Sequence, residues 1–114
     1  MITRDKLKKA KVIDTGWDRV CNGEKVFVDT VEFEINYEGV KELEECVKKY
    51  SECVACNVHF NAGTDELNDI FMYVWDSSCN KDTKIDISFL SEDERNILKE
   101  YALDELTSYR NVFY

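Results

Sequence analysis

The residues best suited to chemistry by type and spacing form the motif Cys53-x-x-Cys56-x-x-His59. Zinc accepts thiolate and imidazole ligands, and a Cys-x-x-Cys pair is also found in redox sites. The run 53–60 is rich in β-forming residues and predicts a strand. On a strand, Cys53 and Cys56 lie on opposite faces and roughly 10 Å apart along the chain, too far apart for one ion. A metal-binding or redox module using these three residues is therefore an alternative hypothesis, and no cofactor is predicted.

His59 is the only histidine, and a general base would need a nucleophile and an orienting acid beside it. The sequence has no G-x-S-x-G, H-E-x-x-H or glycine-rich phosphate loop, and it contains only four glycines. We therefore expect a non-enzymatic protein with no catalytic residues.

Acidic side chains are the most unusual feature of the composition. There are 24 Asp and Glu against 15 Lys and Arg, which gives a net charge of −9. Residues 1–11 hold five basic groups and one acid, a net charge of +4, so the remaining residues carry −13. Affinity for nucleic acid depends on neutralising phosphates, so direct binding to DNA or RNA is not expected. The charge favours a basic partner instead.

The acids occur at spacings that would place several of them on shared faces. Strand alternation puts two of these acids on one face of a strand, and helical spacing aligns three others. Three more acids lie in a turn and at the start of the strand that follows it. These candidate partner-binding acids are Glu32 and Glu34, then Glu38, Glu42 and Glu45, and then Asp65, Glu66 and Asp69. Such an array is either a solvated face that keeps the protein soluble or a surface that presents carboxylates where a basic groove expects phosphates.

An aromatic stripe follows the acids. Phe71, Tyr73 and Trp75 alternate with apolar residues, so both faces of the strand 68–75 are apolar. The stripe is either core packing, a set of anchors for a partner, or a surface through which a structural or regulatory subunit oligomerises. These three residues complete the set of candidate partner-binding residues.

Together these features predict a small acidic binding protein, most plausibly an inhibitor of a basic, nucleic-acid-binding protein such as a nuclease. Compact acidic proteins that block defence nucleases, anti-CRISPR proteins included, offer an analogy of charge and size rather than a derivation.

The elements that must position these residues follow from periodicity. The sequence predicts an α+β fold of order (α)ββαβββα, with about five strands in an antiparallel or mixed sheet and two main helices on one face. The predicted elements are a short helix 4–11, strands 12–21 and 24–37, a helix 39–50, strands 53–60, 68–75 and 85–89, and a helix that ends near residue 109.

Three local features sharpen this prediction. Asn22-Gly23 between two β-rich runs predicts a type I′ hairpin turn, and a parity change at Asp29-Thr30 predicts a bulge or bend in the second strand. Ser91 followed by Glu94 predicts a capping box at the start of the last helix.

The chain contains no proline and no linker, so we expect one domain over residues 1–114, with a basic segment at 1–11 that is either a short helix or a frayed arm. No apolar stretch approaches the ~20 residues of a membrane span, and the first residues do not resemble a signal peptide. An odd number of cysteines favours reduced thiols. We therefore expect a cytoplasmic protein.

Overall fold

The computed structural model describes residues 1–19, 25–50, 54–76 and 81–113. Within them the chain forms five strands and two α-helices, which confirms the predicted α+β class. In chain order the elements are a 3-10 turn Arg4–Lys6, β1 Leu7–Arg19, β2 Lys25–Ile35, α1 Lys41–Tyr50, β3 Val54–Asn61, β4 Leu67–Asp76, β5 Lys81–Lys84 and α2 Glu92–Phe113. The strands make one antiparallel sheet in the order β1-β2-β3-β4-β5.

One face of the sheet, the core face, holds the hydrophobic core. Buried and half-buried residues alternate along β3 from Val54 to Asn61, as expected for a strand covered on one side. On this face α2 packs against β1, β2 and β3, and α1 packs against β4. The helices contribute buried side chains at the spacing of one helical stripe, namely Val40, Leu43 and Val47 around α1 and Leu98, Ala102 and Leu106 on α2.

The predicted helix at 4–11 is wrong, because the chain enters β1 at Leu7. Leu7 pairs with Ile35, and the amide of Asn36 donates to the carbonyl of Lys6 at 2.7 Å. The ladder gains one extra β1 residue between Lys8 and Lys11, and Lys9 there has a φ of +56°. This bulge puts Leu7 and Ala10 both toward the core, which imitates the spacing of a helix.

The predicted irregularity in the second strand lies on its partner instead. β2 keeps an unbroken register with β3, whereas β1 carries an extra residue between Asp14 and Gly16, opposite Asp29 and Val28. The extra residue therefore lies on β1 and not on β2. The predicted Asn22-Gly23 turn lies outside the described residues.

The fifth strand was predicted at 85–89 but runs from Lys81 to Lys84. Pairing with β4 holds this polar segment in the sheet. Beyond Ile85 the backbone makes local bonds instead: the Ser88 amide donates to Asp86 Oδ1 at 3.0 Å, and the Leu90 amide donates to the Ile87 carbonyl at 3.1 Å. The apolar alternation therefore reflects an irregular segment that crosses toward the core.

The capping box at the start of α2 is confirmed. The Glu94 amide donates to Ser91 Oγ and the Ser91 amide donates to Glu94 Oε1, each at 3.1 Å. Glu94 Oε2 also accepts the Ile2 amide at 2.9 Å, so one carboxylate ties the helix start to the N-terminal segment. No helix in the described ranges is both long enough and apolar enough to cross a membrane.

Candidate functional site

The predicted acidic residues separate into three groups along the sheet. α1 connects the end of β2 to the start of β3, and the turn with Asp65 and Glu66 leaves the other end of β3. A strand of eight residues spans on the order of 25 Å, so these two groups lie at opposite ends of the sheet. Glu32 and Glu34 lie on β2 between them. The eight carboxylates therefore do not form one continuous patch.

Glu32 and Glu34 are paired with lysines of β1. Lys11 Nζ lies 3.2 Å from Glu32 Oε1, and Lys9 Nζ lies 3.7 Å from Glu34 Oε2. The lysine side chains are 65% and 70% exposed, so each pair adds at most about 1 kcal/mol to stability. The pairing nevertheless cancels much of the negative charge that these two glutamates would offer to a partner.

Asp65 is also paired. The Arg110 guanidinium near the end of α2 donates from Nη1 to Asp65 Oδ2 at 2.7 Å and from Nη2 to Asp29 Oδ2 at 3.0 Å. The hydrogen bond from Arg110, opposed by burial and reinforced by the charge of Arg110, lowers the pKa of Asp65. Arg110 thus joins α2 to β2 and to the β3–β4 turn, and the role of Asp65 is structural.

Replacing Arg110 with alanine should lower the free energy of unfolding by about 1 to 2 kcal/mol, between the values for exposed and buried ion pairs. The loss arises because two partly buried carboxylates are left without their donor. The pKa of Asp65 is lower in the folded than in the unfolded chain. The ion pair with Arg110 therefore stabilises the fold fully above the unfolded pKa of Asp65, and this contribution is lost as pH falls below roughly 4.

Chemical denaturation of the wild type and of Arg110→Ala at pH 7 and pH 3 measures this difference. Lys11→Ala, which removes only an exposed pair, is the matched control and should change stability by less than about 0.5 kcal/mol. A difference between wild type and Arg110→Ala that is as large at pH 3 as at pH 7 would contradict the ion-pair explanation.

Glu66 and Asp69 are exposed near the start of β4. The carboxylate of Asp69 accepts the amide of Ile70 at 2.8 Å, so it caps a backbone donor of its own strand. The distance from α1 leaves these two residues as a separate, smaller acidic site.

The group at α1 differs from Glu32, Glu34 and Asp65 because its carboxylates are exposed. Glu42 and Glu45 lie one turn apart on α1, and neither takes part in an ion pair with any residue that the structure describes. Glu38 lies in the turn before the helix rather than on it, which corrects the predicted stripe. These three carboxylates, at Glu38, Glu42 and Glu45, are called the α1 acidic surface below.

Two further acids beside this surface were missed by sequence reasoning. Glu44 Oε1 accepts the amide of Gly39 at 2.7 Å and so holds the turn in which Gly39 adopts a φ of +82°. Asp86 lies across from α1, where Asp86 and Glu42 line the same groove. The sequence predicted a strand at 85–89, whereas Asp86 follows the end of β5, so its position beside α1 was not predicted.

The aromatic stripe lies on the other side of the sheet, called the second face, with Glu32, Glu34, Asn57 and His59. Phe71 and Tyr73 are half-buried there, with ring centroids 6.3 Å apart, whereas their neighbours Ile70, Met72 and Val74 fill the core. Burial and then the charges of Asp82 and Asp69 raise the pKa of Tyr73. Trp75 is the next alternate position of β4 after Tyr73, and it pairs with Asp82 of β5.

The second face is tied together by ring contacts. The His59 ring meets the Phe71 ring edge-on at 5.2 Å, and Lys84 Nζ lies 4.4 Å from the Phe71 centroid. Among the described residues, no helix packs on this face. The stripe is therefore separate from the α1 acidic surface, and one flat partner could not contact both.

The strand geometry separates the cysteine and histidine of the motif. Cys56 is fully buried on the core face and His59 points to the second face, so they cannot ligate one ion. Burial raises the pKa of the Cys56 thiol, which makes it a poor nucleophile and ligand. Cys53 lies outside the described residues, and within the described ranges no cluster of three potential metal ligands occurs.

No protein-family model, curated protein or solved structure matches this chain. Its function is therefore inferred from the charge, burial and geometry of its own residues.

Proposed function

We propose that this protein is a small, non-enzymatic, acidic binding protein that engages a basic protein surface through the α1 acidic surface. The observation that carries the proposal is a contrast between carboxylates. Glu32, Glu34 and Asp65 are neutralised by basic side chains of the same chain. Glu42 and Glu45 are exposed and, within the described ranges, have no such partner.

The partner class follows from the charge. Residues after the basic segment 1–11 carry a net charge of −13, which attracts cationic surfaces over long range and repels nucleic acid. Lys and Arg line the grooves that hold a DNA or RNA backbone. We propose an inhibitor whose carboxylates occupy phosphate positions in such a groove, as an anti-CRISPR-like protein would do with an RNA-guided nuclease.

The compartment that suits this function is the cytosol, where such nucleases act. The buried Cys56 has no disulfide partner among the described residues, which suits a reducing compartment.

Displacement of labelled nucleic acid tests the proposal directly. A panel of RNA-guided nucleases and other nucleic-acid-binding enzymes is incubated with labelled RNA or DNA, and this protein is titrated in at 50, then 150, then 500 mM salt. We expect displacement from at least one enzyme at low salt, and the apparent affinity should fall as salt rises. Absence of displacement throughout, or displacement that does not depend on salt, would count against an electrostatic inhibitor.

A second candidate function is favoured by a different observation. Phe71 and Tyr73 are half-buried on the second face, which no helix of the described part covers. A structural or regulatory subunit would use this stripe to associate with a second copy of itself.

Light scattering distinguishes the two functions. If the second face is an oligomer interface, the wild type is larger than a monomer and Phe71→Ser with Tyr73→Ser restores the monomer mass. Phe27→Ser, another exposed aromatic, is the control and should leave the mass unchanged. A wild type that stays monomeric at every concentration tested would exclude the subunit function.

A further inference from the structure

A groove of about 470 Å³ lies between α1 and the segment that follows β5. Its floor is apolar: Val74 is 1% exposed and Ile85 is 6% exposed. Cys46 of α1 and Phe89 of the opposite segment are half-buried and form the walls. The volume is within the range of sites that hold a small ligand or one or two long side chains.

The rim of the groove is acidic on both sides. Glu42 and Glu45 border it from α1, and Asp86 borders it from the other side. Asp86 Oδ1 accepts the Ser88 amide at 3.0 Å, and hydrogen bonds from Ser88 lower the pKa of Asp86. The Asp86 carboxylate is therefore held in place and ionised.

The lysine that lines the groove does not neutralise this rim. Lys84 also borders the groove, but its ammonium lies 4.4 Å from the centroid of the Phe71 ring, on the second face of the sheet. In the part of the chain that the structure describes, no ion pair involves Glu42, Glu45 or Asp86. The groove thus combines an apolar floor with three carboxylates that lack a cation.

We propose that this groove accepts an arginine side chain from a basic segment of the partner protein, an inference that rests on the proposed function. The apolar stem of arginine covers Val74 and Ile85, and its planar guanidinium packs on Phe89 while it donates to the rim carboxylates. A purely apolar occupant would desolvate the carboxylates without compensation, and an anion would be repelled. Charge complementarity therefore selects a cationic side chain with a long apolar stem.

NMR titration with short peptides tests this site without knowledge of the natural partner. The probe is a blocked Gly-Arg-Gly-Arg-Gly peptide, and the comparison peptide has citrulline, the neutral analogue of arginine, at both positions. We expect saturable amide shifts at Glu42, Cys46, Thr83 and Ser88 with the arginine peptide. The citrulline peptide should bind at least ten times more weakly, because it lacks the charge.

Two double variants with the same net charge sharpen the test. Glu42→Gln with Glu45→Gln should raise the dissociation constant of the arginine peptide at least tenfold. Glu92→Gln with Glu100→Gln removes two exposed carboxylates from α2 and should change it less than twofold. Both variants replace exposed side chains with isosteric ones, and the dispersion of the same spectra reports whether they fold.

The outcomes separate the groove from the proposed function. Shifts confined to another surface, equal binding of the citrulline peptide, or equal weakening by the two double variants would overturn the groove site. If the whole protein still displaces nucleic acid from a basic enzyme in those cases, the proposed function stands without the groove. No shift at any surface at low salt would overturn the groove, and failure of the displacement assay as well would overturn both.

Discussion

Glu94→Ala is expected to lower the free energy of unfolding by about 2 to 4 kcal/mol. Glu94 is 8% exposed and accepts two backbone amides, those of Ser91 and Ile2. Loss of the bond from the Ser91 amide, the glutamate half of the capping box, costs about 0.5 to 1.5 kcal/mol. The buried Ile2 amide left without an acceptor adds about 1 to 3 kcal/mol, because its desolvation is no longer compensated.

The effect of Glu94 should also depend on pH. Burial opposes its ionisation, but hydrogen bonds from Ile2 and Ser91 outweigh burial and lower the pKa of Glu94. A folded pKa below the unfolded one gives stability that is complete above the unfolded pKa and is lost as pH falls through the folded pKa. The stability difference between wild type and Glu94→Ala should therefore shrink below roughly pH 4.

Urea denaturation followed by circular dichroism measures both effects. Glu92→Ala removes an exposed acid from the same turn and should cost only about 0.3 to 1 kcal/mol, through the helix dipole. Glu94→Gln keeps one acceptor oxygen for two amides and should lie between wild type and Glu94→Ala. An equal loss in Glu92→Ala and Glu94→Ala would show that the helix dipole, and not the two hydrogen bonds, dominates.

The capping box could be predicted because it is local. Ser91 and Glu94 are three residues apart, and each bonds the backbone of the other, so four consecutive residues determine the geometry. The third bond of Glu94, to Ile2, could not be predicted, because 92 residues separate the two in the chain. The sequence thus identified the helix start but not the long-range tie that makes Glu94 important.

The two misplaced elements at the sheet edges share one cause. Leu7 and Ala10 have helical spacing because a bulge at Lys9 inserts a residue between two inward positions of a strand. Ile85 and Phe89 have strand spacing although the chain there is irregular and folds onto the core. The periodicity of apolar residues shows which side chains are buried, not which secondary structure buries them. A bulged strand can bury residues at helical spacing, and an irregular segment can bury them at strand spacing.

The candidate site was predictable only in its composition. Alternation placed Glu32 and Glu34 on one strand face correctly, but their lysine partners come from a segment that was expected to be helical. Asp65 looked like part of an acidic array until Arg110, 45 residues away, was found to bind it. Whether a carboxylate is free or paired depends on tertiary structure, and this distinction separates Glu42 and Glu45 from Glu32, Glu34 and Asp65.

Glu42→Lys with Glu45→Lys should weaken binding to the basic partner identified by displacement by at least 100-fold at low salt, or about 2.7 kcal/mol. Each reversal replaces an attraction with a repulsion at the proposed contact, and close charge pairs across interfaces are coupled by about 1.5 to 7 kcal/mol. The double variant should also show a weaker dependence on salt, because fewer charge pairs remain to be screened. Titration of wild type and variant against the same partner at two salt concentrations measures both quantities.

Net charge alone would also weaken binding, so the control must reverse the same number of charges elsewhere. Glu92→Lys with Glu100→Lys changes two exposed residues of α2 by the same four units. It should act mainly on association through the long-range field and raise the dissociation constant much less than the α1 double variant does. The dissociation rate then distinguishes a direct contact from a long-range effect of charge. If α1 contacts the partner, the dissociation rate rises in Glu42→Lys with Glu45→Lys and stays unchanged in the control. Equal effects of the two variants on both rates would mean that the partner senses the total charge of the protein and that the α1 acidic surface is not its binding site.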